Sequence, residues 1–204
     1  MIIDTVFALP KDFDILIVDD NSPDGTAEIV KDLQKTYNSD TTTRLHLLQR
    51  PGKQGLGTAY IQGFKHVLQA GYDYVLQMDA DFSHNPKDLI TLYLNCSEWG
   101  SDLSVGSRYV TGVNVVNWPM GRVLLSFFAS KYVQIITGIP LHDTTAGFVC
   151  YRSKVLQTIP LNEVKFIGYA FQIEMKFLTW KYGFKLSEVP IIFTDRTRGQ
   201  SKMS

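Results

Sequence analysis

Short apolar runs alternate with stretches of helical period along most of this chain. The clearest run is Tyr74, Val75, Leu76 and Met78, strand-favouring or apolar residues with no turn former among them. It stops at Asp79-Ala80-Asp81, and Asn85-Pro86 then offers an N-cap and a first helical position. Asp14 to Asp20, DILIVDD, is a second apolar run ended by two acids, as expected of a parallel strand buried on both faces. Residues 44–49, 102–107, 148–152 and 186–194 are the remaining expected strands. Apolar residues at helical spacing predict helices over 24–37, 56–70, 86–95, 119–137 and 168–182. Met1 to Leu9 reads as the last turns of a helix stopped by Pro10. Strands alternating with helices through residue 107 predict an α/β domain with a mainly parallel sheet flanked by helices. The length fits one domain spanning 1–204.

The acids fall where such strands end. Successive strand side chains point to opposite faces, so strand geometry carried to its end would put Asp79 and Asp81 on one face. The carboxyl end of a strand is where open α/β folds bind ligands. Two carboxylates at that spacing suit a hard divalent cation that also holds a diphosphate. Asp19 and Asp20 end another strand, Arg108 follows a third, and Arg196 follows the last. Together they describe a site for a metal-bound diphosphate, because the planar fork of arginine makes paired hydrogen bonds to phosphate oxygens.

Composition removes several other classes. Twenty basic residues balance twenty acidic ones, so no nucleic-acid partner is expected. Cys96 and Cys150 have no metal-like spacing and are too few for a disulfide scaffold, which points to a reducing cytoplasm. The N-terminal stretch lacks the basic region of a signal peptide, and no apolar run reaches the roughly 18 residues of a membrane span. There is no G-x-S-x-G elbow, and His46, His66, His84 and His142 are scattered. Gly55-Leu56-Gly57 lacks the third glycine of a dinucleotide loop, since Tyr60 stands there, and no lysine follows Gly57 as a P-loop requires. The glycines are expected to make a tight strand-to-helix turn.

The runs DDNSPDGTA (19–27), GLGTAYIQGFKH (55–66), MDADFSHNP (78–86), GSRY (106–109), GYAFQIEM (168–175) and EVPIIFTDRTRGQSKMS (188–204) resemble the dolichol- or polyprenol-phosphate mannosyltransferases. These are family-2 inverting glycosyltransferases with the GT-A fold, and the resemblance covers nearly the whole chain in register. It implies transfer of a hexose, mannose from GDP-mannose, to a polyprenyl phosphate. UDP-glucose as donor, and a degenerate non-catalytic domain that only binds nucleotide sugar, are the alternative readings. It also implies that the fold's first strand, central in the sheet, is missing from this chain. The uncovered sheet edges would then favour a homo-dimer.

The resemblance implies these roles. Asp20, with the backbone of Val18 nearby, would contact the nucleoside. Asp79, Ala80 and Asp81 would hold the donor and its Mg²⁺ or Mn²⁺, with Asp81 and Ser83 as the metal contacts. Arg108, Arg196 and Lys202 would bind the diphosphate or the incoming lipid phosphate. Asp79, Asp81 and Arg196 would carry catalysis. Arg122 and Ser126, four apart on the 119–137 helix, would receive the acceptor phosphate. The apolar residues Val123, Leu124, Leu125, Phe127 and Phe128 would lie against lipid, placing the protein peripherally on the cytoplasmic face of a membrane. Where many family-2 enzymes carry a catalytic aspartate base, this chain has Gln172, with Glu174 nearby. A phosphate monoester has its second pKa near about 6 and is already dianionic at neutral pH, so it needs no base.

Overall fold

The structure, a computed structural model, describes residues 1–195. In chain order the elements are α1 (Ile2–Phe7), β1 (Ile15–Asp19), α2 (Thr26–Tyr37), β2 (Leu45–Gln49), α3 (Leu56–Gln69), β3 (Tyr74–Gln77) and α4 (Asp88–Ser97). They continue as β4 (Leu103–Ser107), β5 (Val115–Val116), α5 (Met120–Thr137), β6 (Val149–Arg152), α6 (Ser153–Thr158), a 3₁₀ turn at Leu161–Glu163, α7 (Ala170–Lys181), β7 (Leu186–Pro190) and β8 (Phe193–Thr194).

The expected helices and strands all form, with shifted ends. α2 begins two residues late because Gly25, at φ 78°, is its cap, and the Asp24 carboxylate accepts the Thr26 N–H at 3.1 Å. α4 begins at Asp88, after a turn in which Asn85 Oδ1 accepts the Lys87 N–H at 3.1 Å. The last expected strand, 186–194, is broken in two. Its first half pairs with β4 as far as Pro190, and its second half crosses to pair with β5 in a separate two-stranded sheet. Neither β5 nor α6 was expected from the sequence, because elements this short carry almost no periodic signal.

The main sheet runs β3-β6-β4-β7. β4 and β7 are parallel, as are β1 with β2 and β5 with β8, but β6 runs antiparallel to both of its neighbours. Both faces of this sheet are covered. On β6, Val149 and Tyr151 pack with Phe64, Phe171 and Met175 from α3 and α7. The intervening Cys150, with Phe148, packs with Leu89, Leu92 and Cys96 from α4. This two-residue alternation between two apolar layers is why the run reads as continuously apolar.

β1 and β2 form a pair of their own. Among the described residues, β1 pairs only with β2 and β3 only with β6. A cleft of about 600 Å³ lies between them, lined by Ile15 to Val18 on one side and Tyr74 to Ala80 on the other. α1 stands at this cleft and ties its two sides together, with Ile3 packed on Val30 and Leu45 and Val6 packed in the α4 layer. The cleft thus separates the β1-β2 pair from the main sheet.

Candidate active site

The site is built at the ends of β1, β2, β3 and β4. After β1 the chain turns sharply at Asn21, whose φ is 56°. Asp19 is buried and accepts the Ser22 N–H at 3.2 Å, which holds the turn. Asp20 is gripped by Arg50, from Nε at 2.6 Å and from Nη2 at 3.1 Å. Arg50 also donates to Thr58 Oγ1 at 3.0 Å, and Thr58 Oγ1 donates to the Gly55 carbonyl at 2.8 Å. The nucleoside-contact candidate is thereby tied to the glycine turn. Arg50 was missed by the sequence reading. Its signal was present, because it directly follows β2, whose Gln49 is in register with Asp19.

The glycine turn has a packing role. A Cβ on Gly57 would stand 2.6 Å from the Phe166 carbonyl and 2.8 Å from the Phe171 ring. The Gly57 N–H donates to the Ile167 carbonyl at 2.9 Å, so only glycine lets the start of α3 approach this segment.

The paired acids sit in a turn and not on a strand. β3 ends at Gln77, and Phe82 has φ 61°. Asp79 and Asp81 are both half-buried. Ser83 donates its N–H at 3.0 Å and its hydroxyl at 2.6 Å to Asp81 Oδ1. Ser83, expected as a metal contact, is buried and braces Asp81. His84 is buried, stacked on Phe148 with ring centres 4.7 Å apart, and its Nδ1 accepts the Asp79 N–H at 3.4 Å. Burial pushes this imidazole down to about 4, so it is the neutral acceptor that the bond requires. Desolvation and the adjacent Asp79 carboxylate hold the Tyr60 phenol well above its usual range. Tyr60 also feels the Asp81 carboxylate.

No group of three or more His, Cys, Asp or Glu side chains with metal-site geometry occurs among the described residues. The donor set at Asp79 and Asp81 is hard oxygen from half-buried carboxylates. It fits a small divalent ion that takes one or two carboxylates and completes its shell from phosphate oxygens and water.

Arg108 follows β4 and is 8% exposed. It makes a two-pronged pair with Asp143, Nε to Oδ2 and Nη2 to Oδ1 both at 2.7 Å, and it feels the Asp79 carboxylate. Asp143 was not anticipated, and a lone acid in an irregular segment gives no sequence signal. Arg122 on α5 donates to Asp195 Oδ1 at 3.0 Å and lies 4.0 Å over the Trp118 ring. Ser126, one turn on, is buried beside the Tyr109 hydroxyl. Val18 lines the cleft and Ala80 is exposed at the acid turn. Arg196 and Lys202 lie outside the described residues.

α5 is inverted relative to an ordinary surface helix. Ser126 and Ser130 face the protein, while Leu125, Phe128, Tyr132, Ile135 and Ile136 are 60–81% exposed. Leu124 is also exposed, whereas Val123 and Phe127 are partly covered, Phe127 by the Tyr109 ring at 5.5 Å. No helix among the described residues is long and apolar enough to cross a membrane.

Neither Gln172 nor Glu174 is placed as a base. Gln172 is buried and its Oε1 accepts from Gln77 Nε2 at 2.7 Å. Glu174 accepts the N–H groups of Lys165 and Phe166, the latter at 2.9 Å.

The site thus gathers the acids that follow β1 and β3, with Arg50 paired to Asp20 and Arg108 sensing Asp79. Residues 2–159 match the profile of Glycosyl transferase family 2, and the chain belongs to that family. It is 45% identical over 190 residues to the polyprenol monophosphomannose synthase of Mycolicibacterium smegmatis, covering 93% of this chain and 70% of that protein. It is 43% identical over 197 residues to the undecaprenyl-phosphate mannosyltransferase of Micrococcus luteus, covering 97% of this chain and 78% of that one. In three dimensions it resembles glucosyl-3-phosphoglycerate synthase of Mycobacterium tuberculosis, solved with Mn²⁺, UDP and glucosyl-3-phosphoglycerate. The TM-score is 0.65 at 16% identity, over 91% of this chain and 62% of that one. The chain thus spans less than two thirds of that solved structure, and the likeness establishes the shared fold. The fold and the enzyme class expected from the sequence are those found.

Proposed function

We propose that this chain transfers mannose from GDP-mannose to a polyprenyl phosphate, with inversion, at the cytoplasmic face of a membrane. The observation that carries the reading is the placement of Arg122. It ends an exposed apolar stripe on α5 and belongs to the same cluster as the acid turn, through Asp195 and β8. The Thr194 N–H of β8 donates to the Ser83 carbonyl at 3.1 Å. A phosphate on an apolar chain needs this combination of a cation beside a lipid-facing surface.

In this reading Asp20 orients the nucleoside, with the Val18 backbone beside it. Asp79, Ala80 and Asp81 hold the donor, and Ser83 fixes the Asp81 rotamer. A divalent ion, Mg²⁺ or Mn²⁺, supplies charge stabilisation for the departing diphosphate when bound. Arg108, Arg196 and Lys202 add cationic support there. Arg122 and Ser126 align the acceptor phosphate, whose dianion attacks without a base. This agrees with Gln172 and Glu174 being occupied by structural hydrogen bonds. Catalysis then rests on positioning and on stabilising the leaving diphosphate. Cys96 and Cys150 are both free thiols, in keeping with a reducing compartment. The facing edges of β1 and β3 favour association of two copies, which sedimentation across a concentration series would detect.

The direct test is transfer of radiolabelled sugar to a short polyprenyl phosphate from GDP-mannose and, separately, from UDP-glucose. Label transfer from GDP-mannose alone supports the reading. Transfer from UDP-glucose alone changes the donor, and transfer from neither leaves a binding domain.

A further inference from the structure

Asp143 is fully buried and receives three N–H groups from one residue. Arg108 donates its backbone N–H at 3.0 Å, Nε at 2.7 Å and Nη2 at 2.7 Å. Nη2 donates also to Thr145 Oγ1 at 2.8 Å. Burial works to raise this carboxyl, but the Arg108 guanidinium outweighs it and holds Asp143 below the usual carboxylate range. A buried carboxylate persists only when it is paired and hydrogen-bonded in this way.

The segment that carries Asp143 is fixed from three other elements. Glu188 on β7 accepts the N–H of His142 at 2.7 Å and that of Asp143 at 2.8 Å. Lys176 on α7 donates to the Ala146 carbonyl at 2.6 Å. Gln77, the last residue of β3, donates to the Gly147 carbonyl at 2.8 Å. An irregular segment held at so many points is a rigid mount.

We propose that Asp143 is a positioning residue, which locks Arg108 in the one orientation that serves the donor diphosphate. This rests on the reading of Arg108 as a diphosphate ligand. The Nε–Nη2 edge of the guanidinium is held by Asp143 and Thr145. The Nη1 group has no hydrogen-bond partner among the described residues, and it is the edge left to meet an anion. An arginine fixed in advance loses no rotamer freedom when the donor arrives. The acid also makes the site selective, because an anion must present its oxygens to the one edge that Asp143 does not hold and not to the whole fork.

The experiment uses the full chain, with KM for each substrate by steady-state kinetics and Kd for GDP by calorimetry. Asp143→Asn should raise the donor KM and the GDP Kd about tenfold, as loss of a group that orients a ligand-binding residue does, and leave the acceptor KM within about twofold. In an Arg108→Met background the same change should add nothing. Thr145→Val removes one Arg108 contact without stranding a charge, so it tests the idea even where Asp143→Asn does not fold. It should raise the donor KM in the same direction by a smaller factor. Asp143→Glu should recover part of the loss. Unchanged donor KM and GDP Kd in Thr145→Val and in a folded Asp143→Asn would overturn the proposal. So would an undiminished loss in the Arg108→Met background, which would mean that Asp143 does not act through Arg108. If Arg108→Met itself leaves GDP binding untouched, the premise fails, and the assignment of Arg108 falls with it.

Discussion

The carboxylate of Asp195 rests on the guanidinium of Arg122, Oδ1 to Nη1 at 3.0 Å, where we propose that the acceptor phosphate binds. An incoming phosphate monoester and Asp195 are both anions and would compete for the same donors. Arg122→Ala should therefore raise the KM for the lipid phosphate tenfold or more, about the scale of one charge-assisted pair, with little change in donor KM. Asp195→Asn should do the reverse, lowering the acceptor KM about two- to fivefold, the scale of a partly exposed ion pair. Ser126→Ala should act like Arg122→Ala but more weakly, since it removes a neutral group. Equal changes in both KM values for Arg122→Ala would move the acceptor site off α5.

Asp81→Asn isolates charge from shape. Asn keeps the Oδ1 acceptor that Ser83 uses, so the acid turn should keep its form and the melting temperature should stay within about 2 °C. Turnover should fall about 100-fold or more, the scale on which loss of a charge-stabilising group lowers kcat. Activity near the parent level across a Mn²⁺ titration would remove Asp81 from the site.

The exposed stripe on α5 makes a separate prediction. Leu125 and Phe128 are 63% and 60% exposed, so replacing both with serine should not disturb the core. Vesicle binding should weaken about tenfold or more, because transfer of each side chain into lipid is worth on the order of 1–2 kcal/mol. Transfer to a detergent-solubilised acceptor should stay close to the parent. Unaltered cosedimentation with vesicles would mean that this stripe does not face lipid.

Lys176 gives a pH signature. Burial pushes its ammonium from the ordinary lysine range down to about 7. Between about pH 7 and the unfolded value near 10.4, the unfolded chain holds a proton that the folded chain does not. Stability therefore rises with pH across that window, by up to about 1.4 kcal/mol per unit, and this contribution is flat below it. Lys176→Met should lose that slope. Denaturant midpoints of both proteins between pH 7 and 9 provide the comparison, and a constant difference between them would mean that Lys176 is charged in the fold.

Most of the secondary structure was legible, because it follows from local periodicity. β1 and β3 were visible as apolar runs ended by acids, and α3 and α5 as helical-period stretches. The acids at the site were legible for the same reason, since a strand's end is marked in the chain itself. The break in the last strand was less so. Pro190 lacks an N–H, but whether the chain then continues or crosses to β5 depends on what lies beside it.

The sequence by itself determined which residues are charged, which runs are apolar, and therefore an α/β fold with strand-end acids and its family. Tertiary structure alone decided partnership. Asp143 meets Arg108 across 35 positions, Gln77 meets Gln172 across 95, and Asp195 meets Arg122 across 73. No local pattern encodes such pairs, because each is fixed by how separate elements pack. The direction of β6 and the outward face of α5 belong with them. An apolar run fits a parallel or an antiparallel neighbour equally well, and a helix with apolar residues on more than one side acquires an inside only when the rest of the protein covers one of them.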